Sequence, residues 1–476
     1  MGAERVKTNF LKYMPGIVIV LLSLCSFVFF QFFYPYHFFY QEQNQLFLLS
    51  WEYISTYFDK PGCIAKLVGD FLTQFYYYLY AGATILNICL LLTTVLLYRA
   101  LRNFKLKRLL SFLTAFLLFA FLVICHFDVS YRLSSTISMM GWMMVLWLVS
   151  LLSKVYKSRS SLVPCALSLA VALLPAYWLF GLPHVKRLQG PDFILEKNFA
   201  IENEYYFGYD DKVVDLVRNS EVRNDQMLFF YNLVQAQRGV LPDHLLDFTP
   251  NYLGTFEKIG PDTPLLTIIN MNELYWALGD MTFTERAAMM ANVFSPENRN
   301  NRMVKRLAEC AIVSGDKAAA RKFLGLMEQT LVWRGWARNA PSAVYYAEKA
   351  RFNNQQDTIS ISDNAHFIMM QLLDSNPDNE VALDYILCST LLLKDIENFK
   401  RDYDRYCTQR PRLKKLYQEA LCIWLAGSNA SEEEWHRYIK QSDVMHRFVQ
   451  YNQQRGSAAF RDTYWYYFDK VKAPKI

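Results

Sequence analysis

Five apolar stretches, at 14–34, 79–98, 109–127, 133–152 and 162–181, crowd into the front of the 476-residue chain, and none occurs after them. A bilayer core about 30 Å thick is crossed by a helix of roughly 20 apolar residues. In hydrocarbon every backbone polar group must be bonded within the protein, which leaves helices as the open-ended solution. The pattern predicts an all-α protein. A bundle of five transmembrane helices fills 1–190, and a water-soluble α-helical domain fills 191–476. Arg5, Lys7 and Lys12 give the first stretch a basic lead. Its apolar run outlasts a signal-peptide core, and no A-x-A-like cleavage site comes after it, so it reads as an uncleaved anchor.

Charge sets the orientation. Short loops rich in Lys and Arg stay cytoplasmic. Arg99, Arg102, Lys105, Lys107 and Arg108 separate the second and third stretches, and Lys154, Lys157 and Arg159 the fourth and fifth, with no acid in either loop. The alternate loops are acidic or balanced, although Lys186 and Arg187 come just after the fifth stretch. The N-terminus is therefore expected in the cytoplasm and the C-terminal domain outside it, on the periplasmic face of a bacterial inner membrane. The formal net charge of +6 invites a nucleic-acid reading. The basic residues of the front half flank apolar spans, however, and serve topology rather than nucleic-acid binding. Membrane lipid is the first partner implied.

The loop at 35–78 mixes aromatics, amides and acids. Phe39, Leu46, Leu49, Tyr53 and Tyr57 recur at near-helical spacing, which predicts an amphipathic helix in the membrane interface. Its acids then meet water and headgroups. In the alternative reading the loop is catalytic, with His37, Glu42, Glu52, Asp59 or Asp70 as base or ligand, because acids at membrane depth are costly and often functional. No two of them stand at a metal-ligand spacing. His126 and Asp128, at the outer end of the third span, are expected to be solvated.

The back half alternates helices and turns, with few strand signals. In the segment 306–327, Gly315-Asp316 divides two helices: Gly accepts the left-handed turn and Asp caps the second helix. Asn376-Pro-Asp-Asn379 enters another pair, broken near Lys394-Asp395. Asp280, Asp316 and Asp395 stand at offsets near one and two tetratricopeptide-like repeats of about 34 residues. Such arrays expose a concave surface for a peptide or helix. Trp333, Arg334, Trp336 and Arg338 are its candidate partner-binding residues; the competing reading puts the two tryptophans in the core.

Nine cysteines include no C-x-x-C, so no zinc site, other metal site or disulfide framework is expected. Cys63 and Cys407 are the ones expected to be accessible. No Walker loop, G-x-G-x-x-G, H-E-x-x-H or G-x-S-x-G occurs. No cofactor is implied, and nothing demands an enzyme.

Four stretches carry a likeness: Tyr34-Pro-Tyr-His-Phe-Phe-Tyr-Gln-Glu-Gln-Asn-Gln-Leu-Phe47, Gly69-Asp-Phe-Leu-Thr-Gln-Phe75, Arg306-Leu-Ala-Glu309 with Trp333-Arg-Gly-Trp-Ala337, and Leu416-Tyr-Gln-Glu-Ala420. Together they resemble an uncharacterised family of predicted bacterial inner-membrane proteins with a multi-span front and a tetratricopeptide-like helical back. That resemblance implies an architecture and no activity. The layout is also similar to that of membrane glycosyltransferases acting on polyprenyl-linked sugars, in which Glu42 or Asp70 would be the base. Two roles are expected in turn. The chain is an anchored scaffold for a protein partner, or a glycosyltransferase-like enzyme using the first outer loop on a lipid-linked substrate.

Overall fold

A computed structural model of the protein describes residues 2–155, 162–255, 259–260, 262–350, 364–407 and 414–473, with side chains outside 2–13 and 153–168. Lys157 and Arg159 lie outside the described residues, as do the side chains of Arg5, Lys7, Lys12 and Lys154. Among the described residues every regular element is a helix. The chain forms two compact units. The first comprises 1–200, 296–302 and 323–339; the second comprises 201–295, 303–322 and 340–476. Two segments beyond the expected boundary near residue 190 thus belong to the first unit.

The first unit contains α1 (Gly2–Phe32), α2 (Tyr36–Gln43), α3 (Trp51–Ser55), α4 (Cys63–Thr73), α5 (Ala81–Asn103), α6 (Arg108–Cys125), α7 (Leu133–Val155), α8 (Leu162–Phe180) and the start of α9 (Phe193–Tyr206). Four helices are long and apolar enough to cross a membrane: the Met14–Phe32 part of α1, α5, α6 and the Leu133–Leu152 part of α7. The expectation of five is corrected to four among the described residues. The fifth stretch does form α8, a helix of 19 residues with Pro175 inside it, whose apolar part with described side chains, Leu169–Phe180, is shorter. Apolar side chains such as Leu109, Leu117 and Leu174 stand exposed on α6 and α8, as suits a surface whose solvent is hydrocarbon. Polar residues on α5 bond along their own helix: the Thr93 and Thr94 hydroxyls donate to the Cys89 and Leu90 carbonyls at 2.7 Å. That bonding spares each hydroxyl the cost of an unpaired polar group in lipid.

The outer loop folds over the core of this bundle, where Phe30, Tyr34, Phe38, Tyr76, Leu86, Leu122 and Phe180 cluster. The continuous interfacial helix expected through 39–57 is broken into α2 and α3. Ser50 caps α3 by accepting the Tyr53 N–H, and the Tyr53 hydroxyl reaches back to the Leu46 carbonyl at 2.7 Å. The aromatics that looked like one stripe therefore point to different neighbours. Helix α4 lies against α7 and α8. At Gly69 a Cβ would sit 2.6 Å from the Cα of Ser134 on α7, so only glycine permits that approach.

The second unit is a set of helices around one core that includes Phe230, Tyr231, Tyr385, Phe399, Tyr417 and Trp465. The helix Glu380–Leu392 is buried continuously from Ala382 to Leu392, the mark of a helix enclosed on all sides. The expected punctuation is present. Gly279 and Gly315 adopt the left-handed conformation, and Lys394 does so at the third break. Asp280, Asp316, Asn379 and Asp395 accept backbone N–H groups of the helices they precede. Caps and breaks match a helix–turn–helix array; they do not by themselves make a tetratricopeptide repeat. Cys407 is buried in this core, and Cys63 in the first unit donates to the Trp178 carbonyl at 3.4 Å. Both were expected to be accessible; apolar packing claims them instead.

The close contact of α4 with α7 makes a prediction. Gly69→Ala must push two backbones apart and is expected to cost about 1–3 kcal/mol, read as a lower melting temperature of the full-length protein in detergent. An unchanged melting temperature would show that the helices do not meet as described.

Candidate functional site

The acids expected at the surface of the outer loop divide. Glu52 and Asp59 are exposed, while Glu42, at 0 % exposure, and Asp70, at 2 %, are buried. His37, His126 and Asp128 are buried too, so the solvation expected for the last two is also corrected. Burial of a carboxylate is tolerated only with partners, and the partners come from the segment 296–302. The Asn301 amide donates to the Glu42 carbonyl at 3.0 Å and to its side chain at 2.5 Å. Arg302 Nη2 lies 3.6 Å from Glu42 Oε2. The Asn300 amide donates to Asn44. Burial pushes Glu42 up to about 7, against the pull of Arg302 and Asn301.

At the start of α2, the backbone N–H groups of Tyr36 and His37 donate to Glu196 of α9. The carboxylate thereby caps a helix whose own residues offer none. Burial still pushes Glu196 up to about 8, the two backbone bonds working against it. The His37 ring lies among Phe30, Tyr34 and Phe38 and makes no hydrogen bond. Burial holds it near 3, so it is neutral imidazole across the physiological range.

Asp70 sits at the end of a second chain. Tyr57 lies 2.8 Å from Asp70 Oδ2, and Tyr53 lies 2.9 Å from Tyr57. Arg299 Nη1 donates to both phenol oxygens at 2.7 and 3.2 Å. Glu297 bridges Lys66 and Arg132 at 2.8 and 3.0 Å. Sequence reading missed 296–302 entirely. Its signal was a run of amides and guanidiniums, Glu297-Asn-Arg-Asn-Asn-Arg302, too dense for one solvated helix face. Among the described residues no group of three or more His, Cys, Asp and Glu side chains is placed to hold a metal ion.

The Trp333 stripe belongs to this first unit, not to a repeat surface. Trp333 is buried with its ring edge-on to Tyr77 at 4.9 Å. Arg334 and Trp336 are half-buried, and Arg338 is exposed. Of the four candidate residues, Trp333 is thus enclosed, as the competing core reading expected.

The second unit holds a different buried cluster. Arg306 is bidentate to Glu273 at 2.7 and 2.8 Å and lies 3.2 Å from Glu309. Its guanidinium stacks 4.3 Å from the Trp276 ring, and Tyr346 donates to Glu309 at 2.9 Å. Burial, with Arg306 nearby, lowers Lys349 to about 8. This is a balanced set of charges that ties three helices together.

The same unit contains a cavity of about 280 Å³ between the helices Asp225–Gln237 and Leu265–Leu278. Phe229, Tyr252, Leu266 and Met271 form its apolar wall; Gln226, Thr267 and Asn270 supply polar groups, with Asp225 exposed at the rim. The Asn270 side-chain oxygen and the Gln226 side-chain nitrogen are enclosed and make no hydrogen bond.

Both sets of buried charge can be tested. Arg306→Met strands two buried carboxylates and is expected to cost about 3–5 kcal/mol, measured by thermal or denaturant unfolding. Glu196 tests pH. Its native pKa lies above its unfolded value, so its contribution is full below about 4.3 and is lost as pH rises through about 8. The melting temperature should fall over that window, and Glu196→Gln should flatten the fall.

A family model described as a family of unknown function (DUF6057) matches residues 9–186 and 183–470. No curated protein and no solved structure matches the chain.

Proposed function

We propose that the chain, which belongs to this family of unknown function (DUF6057), is a membrane-anchored scaffold whose second unit binds an extended segment of a protein partner. The observation that carries this reading is the cavity beside Asn270 and Gln226. It offers one unmatched acceptor and one unmatched donor inside an apolar wall. A peptide bond presents the complementary pair, N–H and C=O, on one planar group. The volume of about 280 Å³ lies at the small end of ligand sites, which run from about 300 to 1,000 Å³. It suits one or two residues of a chain better than a large cofactor. Asp225 at the rim favours a basic neighbour in that segment. The binding surface is thereby moved from 333–338 to this cleft.

The scaffold is proposed to sit in a bacterial inner membrane with its N-terminus in the cytoplasm and the second unit in the periplasm. The basic loop around Arg99–Arg108 supports a cytoplasmic N-terminus; the periplasmic placement of the second unit further requires α8, at 19 residues, to cross beside the four helices named above. A periplasm-dependent reporter fused after Ile476 should be active, and a cytosol-dependent one silent.

The glycosyltransferase-like alternative rests on Glu42, whose carboxyl is raised to about 7 and so suits general acid or base work. Its side chain is enclosed and bonded to Asn301, which makes it a better tie than a base. The two readings separate by experiment. A photoreactive residue at Thr267 in the full-length protein in membranes should give a discrete adduct. Asn270→Leu should weaken that adduct about tenfold, the worth of a buried hydrogen bond, while Glu42→Gln should leave it intact. Loss of the adduct on Glu42→Gln with no effect of Asn270→Leu, in variants that accumulate normally, would reverse the choice.

A further inference from the structure

Three oxygen–oxygen contacts run in series through the outer loop. Asp70 Oδ2 to the Tyr57 hydroxyl is 2.8 Å, Tyr57 to the Tyr53 hydroxyl is 2.9 Å, and Tyr53 to the Leu46 carbonyl is 2.7 Å. Each is short enough to require a proton between its oxygens. The carbonyl has none to give, and each phenol has one. Three links therefore draw on two tyrosine protons, and the third must come from the carboxyl group. If Asp70 were ionised, one contact would bring two lone pairs face to face. Arg299 does not change the count, because it donates to both phenol oxygens through their remaining lone pairs.

We infer that Asp70 is a proton-binding site, occupied at neutral pH, whose proton completes a one-way chain from Asp70 through Tyr57 and Tyr53 to the Leu46 carbonyl. Burial raises the carboxyl above the ordinary aspartate range, and Glu297 pushes the same way; Arg132 and Lys66 pull it down, as does the Tyr57 hydroxyl when it donates to the ionised form. Glu297 also spends its own charge on Lys66, Arg132 and Arg299. The elements packed on α4 contribute other titratable groups. Helix α2 carries Tyr36, His37, Tyr40 and Glu42, the turn Gln74–Tyr77 carries Tyr76 and Tyr77, and α8 carries Tyr177; the described side chains of α7 include none.

When the proton leaves to solvent, Tyr57 must donate to the carboxylate, and the one Tyr53 proton is left to serve either Tyr57 or the Leu46 carbonyl. That carbonyl lies in the stretch between α2 and α3, whose Leu49 N–H is held by the Gln329 carbonyl at 2.8 Å. Proton release therefore leaves one contact of the chain, at Tyr57 or at Leu46, without its proton.

The test uses the full-length protein in lipid nanodiscs. Asp70→Asn keeps a donor toward Tyr57 and cannot ionise. It should melt with the wild type below about pH 3.9 and at or above it at neutral pH. It should also remove the part of the wild-type stability loss that sets in as pH climbs above the ordinary aspartate value of about 3.9. With carbon-13 aspartate, infrared spectra should contain a protonated-carboxyl band at neutral pH that Asp70→Asn deletes. A clearly lower melting temperature for the variant at neutral pH, or no band that it deletes, overturns the assignment. If Asp70→Asn does not fold, Tyr57→Phe decides: a shifted aspartic-acid band supports the site, and an unmoved or absent one overturns it.

Discussion

Taking a carboxyl group out of water, where it must either hold its proton or find donors, is the most expensive act in the first unit, and it happens at Glu42, Asp70 and Glu196. An uncompensated buried charge costs several kcal/mol after relaxation. Each of the three therefore dictates what must stand beside it. Glu196 takes the free N–H groups that open α2. Glu42 takes Asn301 and Arg302. Asp70 takes two phenols and, through them, Arg299. The outer loop has its shape because these three demands are met at once by segments distant in sequence.

The same logic explains the stretches that distinguish the sequence. Residues of Arg306-Leu-Ala-Glu309 form the buried charge cluster with Glu273. In Leu416-Tyr-Gln-Glu-Ala420, the Gln418 side chain accepts the N–H groups of Lys440 and Gln441. Glu419 accepts the Tyr464 N–H with its carboxylate and the Trp465 indole N–H with its carbonyl. Gly69 lets α4 touch α7. These are polar anchors between helices, so the fingerprint records how the fold is tied together. It need not record chemistry.

How much the sequence could tell depended on the range of the interaction. Apolar run length, a local property, located α1, α5, α6 and α7. Caps at Asp280, Asp316 and Asn379 depend on three or four neighbouring residues and were equally legible. Spacing misled at 39–57, where Asn44 and Ser50 end one helix and begin another before the apolar period can extend. Burial of Glu42 and Asp70 was invisible, because their partners, Asn301 and Tyr57, are fixed by tertiary folding; burial of Trp333 against Tyr77 was one of two readings that the sequence left open. The cleft beside Asn270 left no trace either: an unmatched amide is defined by what fails to approach it.

The tie between Glu42 and Asn301 spans 259 positions. A ribosome adds about 5–20 residues each second, so the loop waits on the order of tens of seconds for the amide that neutralises its demand. Through that interval the carboxylate must keep its water, and the loop cannot close over the helix ends beneath it. The loop at 35–78 is therefore seated only after the second unit's stretch 201–295 has been made.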